Sequence, residues 1–323
     1  MKRLIPLVIL VTFLILPVSV SAEWSFAPSY YDTVLTLSLP DSNGVLSGKI
    51  TDYSNIPLQD VLVTISTRVN DDSITFETTT DADGTYGFYD LPYSINGLYC
   101  FYSFTATLEG YCVSYKNISP LPKNKFNIKL CKEAYFSVEA PVIFTSIGQS
   151  DGIYLADTIC DKAGIKHDLA DAPAAKHLDS GVGLTTYDSK TDLPVYYVKK
   201  SDMPNGTKYK ALVLVMGTFP AMPNPIYPLD SDILRTLEII LWARMNNIPI
   251  IGMHLEGHFL RGVNDGNTFI IETIAPLCDM IVVLAESNYD DKFTTIAQKY
   301  DIPITVAPTA SALEDIFQNI FIE

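Results

Sequence analysis

This chain lacks the closely spaced glycines that mark common nucleotide-binding proteins. Its 323 residues contain neither a Walker A loop nor a G-x-G-x-x-G fingerprint. Both motifs use glycine so that backbone N–H groups can approach a phosphate. Nucleotide binding is therefore disfavoured, and the sequence predicts no cofactor, no metal ion and no catalytic residue.

Positive charge is also scarce. The chain carries 22 Lys and Arg against 37 Asp and Glu, a net charge of −15. A surface with this excess repels phosphate backbones and anionic lipid headgroups. We therefore exclude nucleic acid as a partner.

The first 22 residues have the pattern of an export signal. Lys2 and Arg3 supply positive charge, residues 4–18 are apolar without a charge, and Val20-Ser21-Ala22 offers small residues for cleavage. A spanning helix needs about 20 apolar residues, so this shorter run predicts a cleaved signal peptide over residues 1–22. We expect a secreted or cell-envelope protein, with membrane contact only if this segment stays uncleaved.

The five cysteines cannot form a complete set of internal disulfides. Cys100, Cys112 and Cys131 fall in the first half, and Cys160 and Cys278 in the second. An oxidising compartment permits one bridge among the first three, but spacing alone does not decide which pair. Cys160 lies on an apolar helical stripe, which indicates a buried thiol.

Short alternating runs fill residues 45–132, after a strand and linker over residues 23–44. The runs are 45–51, 61–68, 74–80, 86–88, 99–108, 111–115 and 125–130. Many short strands separated by turn residues predict a β-sandwich. Between two of the runs, Asp83-Gly84 is a turn dipeptide that predicts an antiparallel hairpin.

This first half resembles the carboxypeptidase-regulatory-like (transthyretin-like) β-sandwich family. The resemblance rests on Gly48-Lys49-Ile50-Thr51-Asp52, Pro57-Leu58-Gln59-Asp60-Val61 and the run around Asp83-Gly84. It implies an accessory or attachment module. Aromatic residues concentrated between Tyr86 and Tyr111 are typical of sandwich cores, and a carbohydrate or cell-envelope contact is the alternative use for them.

From residue 142 onward, apolar strand runs alternate with helical segments. The strand runs are 142–146, 211–216, 249–253, 280–284 and 302–306, each followed by a helix. This order predicts an α/β doubly wound, five-stranded parallel sheet over residues 142–323, which is a Rossmann-like fold. Residues 165–210 read as an insertion, either a lid or a surface excursion.

The second half is similar to an exported prokaryotic family known only as a domain of unknown function. Thr145-Ser146-Ile147-Gly148-Gln149-Ser150-Asp151, Ile250-Ile251-Gly252-Met253-His254 and the two apolar runs at 212–217 and 302–305 carry this resemblance. The resemblance implies a Rossmann-like fold in an envelope setting. It supplies no established catalytic residues.

Ligands bind such sheets outside the carboxyl ends of the strands, near the point where strand order reverses. This rule selects residues that follow the first four strands, which we expect to hold a small polar or anionic ligand. They are Ser146, Gly148, Gln149, Ser150, Gly217, Thr218, His254, Arg261 and Glu286. An anion is expected because free N–H groups at a helix start attract negative charge. The alternative is that Ser150 or Asp151 simply caps the helix.

Two other functions stay open from sequence. His254, Glu256 and His258 form an H-x-E-x-H pattern that loop zinc ligands can adopt, so an extracellular hydrolase or metal-dependent enzyme is one alternative. A metalloprotease helix is excluded because the glutamate does not follow the first histidine directly. A purely structural surface protein is the other alternative.

We predict that the two halves fold separately, with the boundary between Leu130 and Val142, because the pattern changes there from alternating strands to strand–helix units. Residues 23–132 and 138–323, expressed apart, should each give a cooperative thermal transition. If neither does, the division into two domains is wrong.

Overall fold

A computed structural model describes residues 44–69, 72–95, 98–118, 124–184, 196–217, 228–257, 261 and 266–322. The chain divides into two units, Met1–Ser42 and Asn43–Glu323, and every described residue belongs to the second. The predicted signal peptide and the strand expected at 33–39 lie outside these ranges. Where side chains are described, no helix is both long and apolar enough to span a membrane.

The first part of the described chain consists of short strands. They are β1 (Gly44–Asp52), β2 (Leu62–Val69), β3 (Asp72–Thr79), β4 (Thr85–Leu91), β5 (Ser94–Ile95), β6 (Leu98–Tyr99), β7 (Tyr102–Thr107), β8 (Ser114–Ile118), β9 (Asn124–Lys125), β10 (Ile128–Leu130) and β11 (Val138–Glu139). One sheet has the order β3-β2-β7-β8, and a second is built on β1, which pairs with β4, β9 and β10.

These two sheets share one hydrophobic core. Alternate residues of β1 and β4, including Leu46, Ile50 and Phe88, face Val63 and Phe104 from the other sheet. The alternation follows from the period of two along a strand. Most of the aromatic residues noted in the sequence are used here, since Tyr86, Tyr102 and Phe104 are at most 3% exposed.

The prediction of an antiparallel hairpin at Asp83-Gly84 is wrong. The tight turn exists, with Asp81 Oδ1 accepting from the amides of Asp83 and Thr85 at 3.0 and 2.8 Å. The strands that it joins, however, pair with different partners: β3 with β2, and β4 with β1. The turn therefore carries the chain from one sheet to the other. Gly84 has φ +73°, and its carbonyl accepts a hydrogen bond from the Ile50 amide at 2.8 Å, which ties the turn to β1.

The second part alternates strands and helices. It comprises β12 (Val142–Ile147), α1 (Gly152–Ala163), β13 (His167–Asp171), α2 (Ala175–Asp179), β14 (Tyr196–Lys199), β15 (Ala211–Met216), α3 (Leu229–Met245), β16 (Ile250–His254), α4 (Gly266–Ile274), β17 (Met280–Leu284), α5 (Lys292–Tyr300), β18 (Ile304–Ala307), α6 (Leu313–Ile320) and β19 (Phe321–Ile322). Short 3₁₀ turns span Ala275–Leu277, Glu286–Asn288 and Ala310–Ala312.

The main sheet has six parallel strands, not the predicted five. Its order is β14-β13-β12-β15-β16-β17-β18, with β14 antiparallel to β13. The prediction missed β13 because His167, Asp168 and Asp171 give this strand a polar composition, although four of its five residues are buried. The supposed insertion at 165–210 therefore begins with a strand of the sheet itself.

Both faces of this sheet are covered. Val142 and Phe144 of β12 pack with α1 and α6 on one face. Ile143 and Ile147 of the same strand pack with α3, α4 and α5 on the other. Strands buried on both faces read as continuous apolar runs, which is why the other parallel strands were visible in the sequence.

A single buried carboxylate organises much of the segment that follows β13. Asp168 is fully buried and accepts hydrogen bonds from the Tyr209 hydroxyl at 2.6 Å, the Ser201 amide at 2.8 Å and the Gly183 amide at 3.1 Å. These donors come from widely separated positions, and a buried charge requires such partners. Residues around 183, 201 and 209 are thus fixed to the edge of the sheet.

The first part packs directly on the second. Cys112, Val113 and Cys131 belong to the same hydrophobic cluster as α5 and β18. The Ala134 amide donates to the Ile304 carbonyl at 3.0 Å. Separate folding of the halves stays a prediction, but these contacts show that each half buries apolar surface of the other.

An ion pair also joins the two parts of the chain, and we call the interface between these parts the seam. Lys116 Nζ donates to the Tyr289 carbonyl at 2.8 Å and lies 2.7 Å from Asp291 Oδ2. The lysine side chain is 12% exposed and the aspartate 37%. Burial raises the pKa of Asp291 although Lys116 acts to lower it.

We expect Lys116→Met to lower the free energy of unfolding by about 1–3 kcal/mol, because it leaves a partly buried carboxylate and a carbonyl without their donor. Chemical denaturation at neutral pH measures this. Lys208→Met is the matched control: its pair with Asp179 is two-thirds exposed on both sides, so the change should stay below about 0.5 kcal/mol. Equal, small effects of the two substitutions would contradict a stabilising role for Lys116.

Candidate functional site

The strand order reverses between β12 and β15, because the chain leaves β12 toward β13 and returns on its other side at β15. The loops after these two strands remain adjacent, with the Gly217 amide donating to the Ile147 carbonyl at 3.1 Å. Open α/β sheets bind their ligands at such a switch point. Residues 148–152 and Gly217 therefore define the candidate site.

Glu256, which follows β16, reaches this switch point. Its Oε1 accepts hydrogen bonds from the Ser150 hydroxyl and from the Gly152 amide, the latter at 3.1 Å. Gly152 begins α1, so the carboxylate takes the position where the helix N-terminus would attract an anion. The expected anion site is thus filled by a side chain of the protein itself.

The other oxygen of this carboxylate has no assigned role within the protein. Glu256 Oε2 is buried and has no hydrogen-bond partner among the described residues. Burial raises the pKa of Glu256, while the hydrogen bonds from Ser150 and Gly152 act to lower it. A buried carboxylate oxygen without a partner is costly, and such atoms mark places where a ligand or water completes the structure.

Glycine at position 217 is required by this carboxylate. A Cβ atom built on Gly217 would lie 2.4 Å from Glu256 Oε2 and 2.7 Å from its carboxyl carbon. Any larger residue would displace the glutamate from the switch point. Gly217 thus has a steric role that its position after a strand did not reveal.

Gly148 faces a different carboxylate. It has φ +74°, and its amide donates to Asp232 Oδ2 at 2.6 Å. Asp232 on α3 is in turn held by Arg235, whose Nη2 donates to the Ser146 carbonyl at 2.8 Å. Asp232 and Arg235 therefore fix the turn after β12, and neither residue was selected from the sequence.

The hydroxyl of Ser146 does not point toward the switch point. Its Oγ donates to Asp171 Oδ1 at 2.5 Å, on the neighbouring strand β13. The side chain is 2% exposed. Ser146 therefore links two strand ends, and any effect on a ligand would be indirect.

Among the residues selected from the sequence, Gln149 has an unusual backbone conformation and a side chain whose amide nitrogen lacks a partner among the described residues. It has φ +62°, a conformation that non-glycine residues rarely adopt. Its Nε2 is buried and has no partner among the residues described here. Strain combined with an unpaired donor is a pattern found at functional sites.

His254 lies beneath the site. It is fully buried, its Nδ1 lies 2.6 Å from the Met216 carbonyl, and its ring stacks on Phe293 with centroids 5.6 Å apart. Because a carbonyl only accepts, Nδ1 carries the hydrogen. Burial lowers the pKa of His254 to about 4, and the nearby Arg261 contributes to this shift.

Arg261, which was expected to hold a ligand, is only 8% exposed and therefore buried. Its guanidinium donates to the Ser287 carbonyl and to Asp290, the latter at 2.6 Å, and it stacks over Phe293. Glu286 is exposed on the 3₁₀ turn after β17. These two residues sit on the β16–β17 side of the edge and do not join the Glu256 carboxylate.

Two residues named from sequence, Thr218 and His258, lie outside the described residues. The described members of the H-x-E-x-H pattern are engaged separately, His254 with Met216 and Glu256 with α1.

Residues 148–152 also match a short motif of hydrolases. Gly148-Gln149-Ser150-Asp151-Gly152 has the spacing G-x-S-x-G and stands between a strand and a helix, as in the nucleophile elbow of hydrolases. In this chain the positive φ angles fall on Gly148 and Gln149 rather than on the serine. Ser150 is 1% exposed, and its hydroxyl donates to a carboxylate instead of an imidazole. The motif here forms a helix entry.

A second polar cluster lies at the opposite, amino-terminal edge of the sheet. Asp157, Asp161 and His167 have ligand atoms within 4.8 Å of one another. Lys199 already supplies the cation, with its Nζ 2.9 Å from Asp157 Oδ1 and in contact with Asp161. Burial raises the pKa of Asp157, but hydrogen bonds from His167 and Lys199 outweigh it and hold the pKa below the usual range. The adjoining surface depression has a volume of about 240 Å³.

The sequence from residue 139 to 321 matches a family described as a domain of unknown function (DUF6305). This chain belongs to that family. The match covers more than half of the chain and all six parallel strands. It confirms the expectation that the second half is a domain of unknown function. No curated protein sequence is similar to the chain.

Similarities to solved structures are partial and weak. A 3-chlorocatechol 1,2-dioxygenase from Rhodococcus opacus 1CP has 14% identity and a TM-score of 0.22, covering 28% of this chain and 62% of the other. The major pilin SpaD from Corynebacterium diphtheriae has 15% identity and a TM-score of 0.24, covering 31% and 33%. The Bacillus anthracis TIE protein has 20% identity and a TM-score of 0.23, covering 34% and 20%. The chain spans less than two thirds of each of these structures, and the scores support no functional argument.

We expect His254 to make stability depend on pH. Its pKa is about 4 when folded and about 6.5 when unfolded, so between these values only the unfolded chain binds the proton. The free energy of unfolding should therefore be unaffected above pH 6.5 and fall by about 2–3 kcal/mol as the pH drops to 4.

His254→Asn tests this, because its amide can donate to the Met216 carbonyl but does not titrate. Denaturation midpoints of both proteins between pH 4 and 7 should show the steeper fall in the unsubstituted chain. Glu256 has a raised pKa and shifts stability in the opposite direction, but it is present in both proteins. Parallel pH profiles would contradict the assignment.

Proposed function

We propose that the second half of this chain binds a small, uncharged polar ligand at the switch point between β12 and β15. The observation that carries this proposal is Glu256 Oε2, which is buried beside Gly217 without a partner among the described residues. A hydroxyl or N–H group of a ligand would satisfy it. Gln149 Nε2, also buried and unpaired, offers a donor to the same kind of ligand.

The carboxylates favour a neutral ligand over the anion expected from sequence. Glu256 already occupies the positive end of α1, and Asp232 takes the amide of Gly148. A second anion at this position would be repelled by Glu256 and would find few free backbone donors. An alcohol, an amide or a sugar offers both donors and acceptors.

The protein is proposed to act outside the cytoplasm. Support comes from the positively charged start, the apolar run over residues 4–18 and the small residues that follow it. We infer that the first part is a transthyretin-like β-sandwich that serves as an accessory or attachment module, and that the second is Rossmann-like. Tyr89 and Phe101, each more than 70% exposed, would be the residues for a cell-envelope or carbohydrate contact.

Native mass spectrometry of the protein purified from its host should reveal a co-purified neutral compound, which titration calorimetry then tests. Glu256→Gln should weaken its binding about tenfold or more, because the amide keeps the bonds from Ser150 and Gly152 but turns the ligand-facing oxygen into a donor. Gln149→Ala should have a similar effect. Glu286→Gln, which removes one charge from the same edge without breaking a described hydrogen bond, is the control and should bind normally.

Unchanged affinity in both Glu256→Gln and Gln149→Ala, with folding intact, would place the ligand elsewhere. Retention of an anion in preference to neutral compounds would overturn the assigned ligand class.

A further inference from the structure

Two of the five cysteines stand opposite each other where the first part of the chain meets the second. Tyr111 and Lys132 form an antiparallel bridge, and the Cys112 amide donates to the Cys131 carbonyl at 2.9 Å. In antiparallel pairing the next residues along, 112 and 131, are therefore directly opposed. One of the two hydrogen bonds of an antiparallel pair is thus present, and the Cα atoms in such a pair lie about 5.5 Å apart, inside the range of about 4.4–6.8 Å that a disulfide spans.

The two side chains also share one environment. Both residues are 3% exposed and belong to the cluster formed with α5 and β18. The pKa of the Cys112 thiol lies well above its usual range, first because its side chain hydrogen-bonds Cys131 and then because it is buried. The other three cysteines are buried apart from this pair: Cys100 is in the core of the first part, while Cys160 and Cys278 lie on opposite faces of the main sheet.

We propose that Cys112 and Cys131 are the disulfide pair of this protein when it folds in an oxidising environment. A small-molecule disulfide such as oxidised glutathione serves as the oxidant: one thiolate attacks it, the mixed disulfide is resolved by the second thiol, and two reduced glutathione molecules leave with the two protons. The bridge forms during folding, because a buried thiol with a raised pKa attacks slowly once the seam has closed.

The surrounding hydrogen bonds tolerate this change. As a thiol, Cys112 donates to the Ile304 carbonyl at 3.4 Å. That carbonyl already accepts from the Ala134 amide at 3.0 Å, so it keeps a partner when the thiol hydrogen is lost. The bridge fastens the two segments of the first part that touch β18.

Refolding the denatured full chain in a glutathione redox buffer, followed by alkylation and peptide mapping, tests the proposal. We expect three alkylated thiols instead of five, a mass lower by two hydrogens, and a cross-linked peptide pair containing Cys112 and Cys131. When the denatured protein is reduced and then refolded in reductant, we expect its Tm to be about 5–10 °C lower than the Tm of the bridged form.

Cys100→Ala is the matched control and should retain the bridge and the Tm difference between the oxidised and reduced forms. Cys131→Ala should lose both and give four free thiols, and Cys112→Ala provides the same readout if that variant folds poorly. Five alkylated thiols after oxidative refolding, or a bridge that involves Cys100, would overturn the proposal.

Discussion

The hydrogen bonds between Glu256 and the start of α1 hold the carboxyl edge of the main sheet together. They join the loop after β16 to the helix after β12, across the intervening β15. Glycine at position 217 leaves the space that this crossing needs. The Glu256 carboxylate provides the negative charge that the N-terminus of α1 attracts.

Internal carboxylates have the same role elsewhere in this acidic chain. Asp168 collects three donors from the segment after β13, and Asp232 binds the Gly148 amide while it pairs with Arg235. Each lies at a point where backbone N–H groups lack partners in regular structure, and each gains enough hydrogen bonds to offset burial. Part of the chain's net negative charge is therefore buried and hydrogen-bonded, so the net charge overstates the negative charge on the surface.

The sequence predicted most of the regular structure because apolar periodicity is a local property. Continuous apolar runs located β12, β15, β16, β17 and β18, and alternation located most strands of the first part. The run containing β13 was missed because its histidine and aspartates are buried by partners distant in sequence. The sequence identified the turn at Asp83-Gly84. It could not identify the partners of the flanking strands, because the local sequence does not specify pairing with β1 and β2.

For the candidate site, the sequence indicates the position but not the contacts. The rule that ligands bind at a switch point selected Gln149, Ser150 and Gly217, which lie at that edge of the sheet. It could not show that Glu256 reaches across from β16, because side-chain direction depends on the three-dimensional path of the loop. Arg261 was expected to hold a ligand, but it is buried against Phe293 and Asp290.

The seam between the two parts also bears on how the main sheet ends. Strand β18 is the last in the order, and an uncovered edge strand offers its free N–H and C=O groups to another chain. Here Ala134 lies beside it: its amide donates to the Ile304 carbonyl, and its carbonyl accepts from the Thr305 hydroxyl. The first part thus covers part of this edge, which leaves fewer free N–H and C=O groups for pairing with another chain.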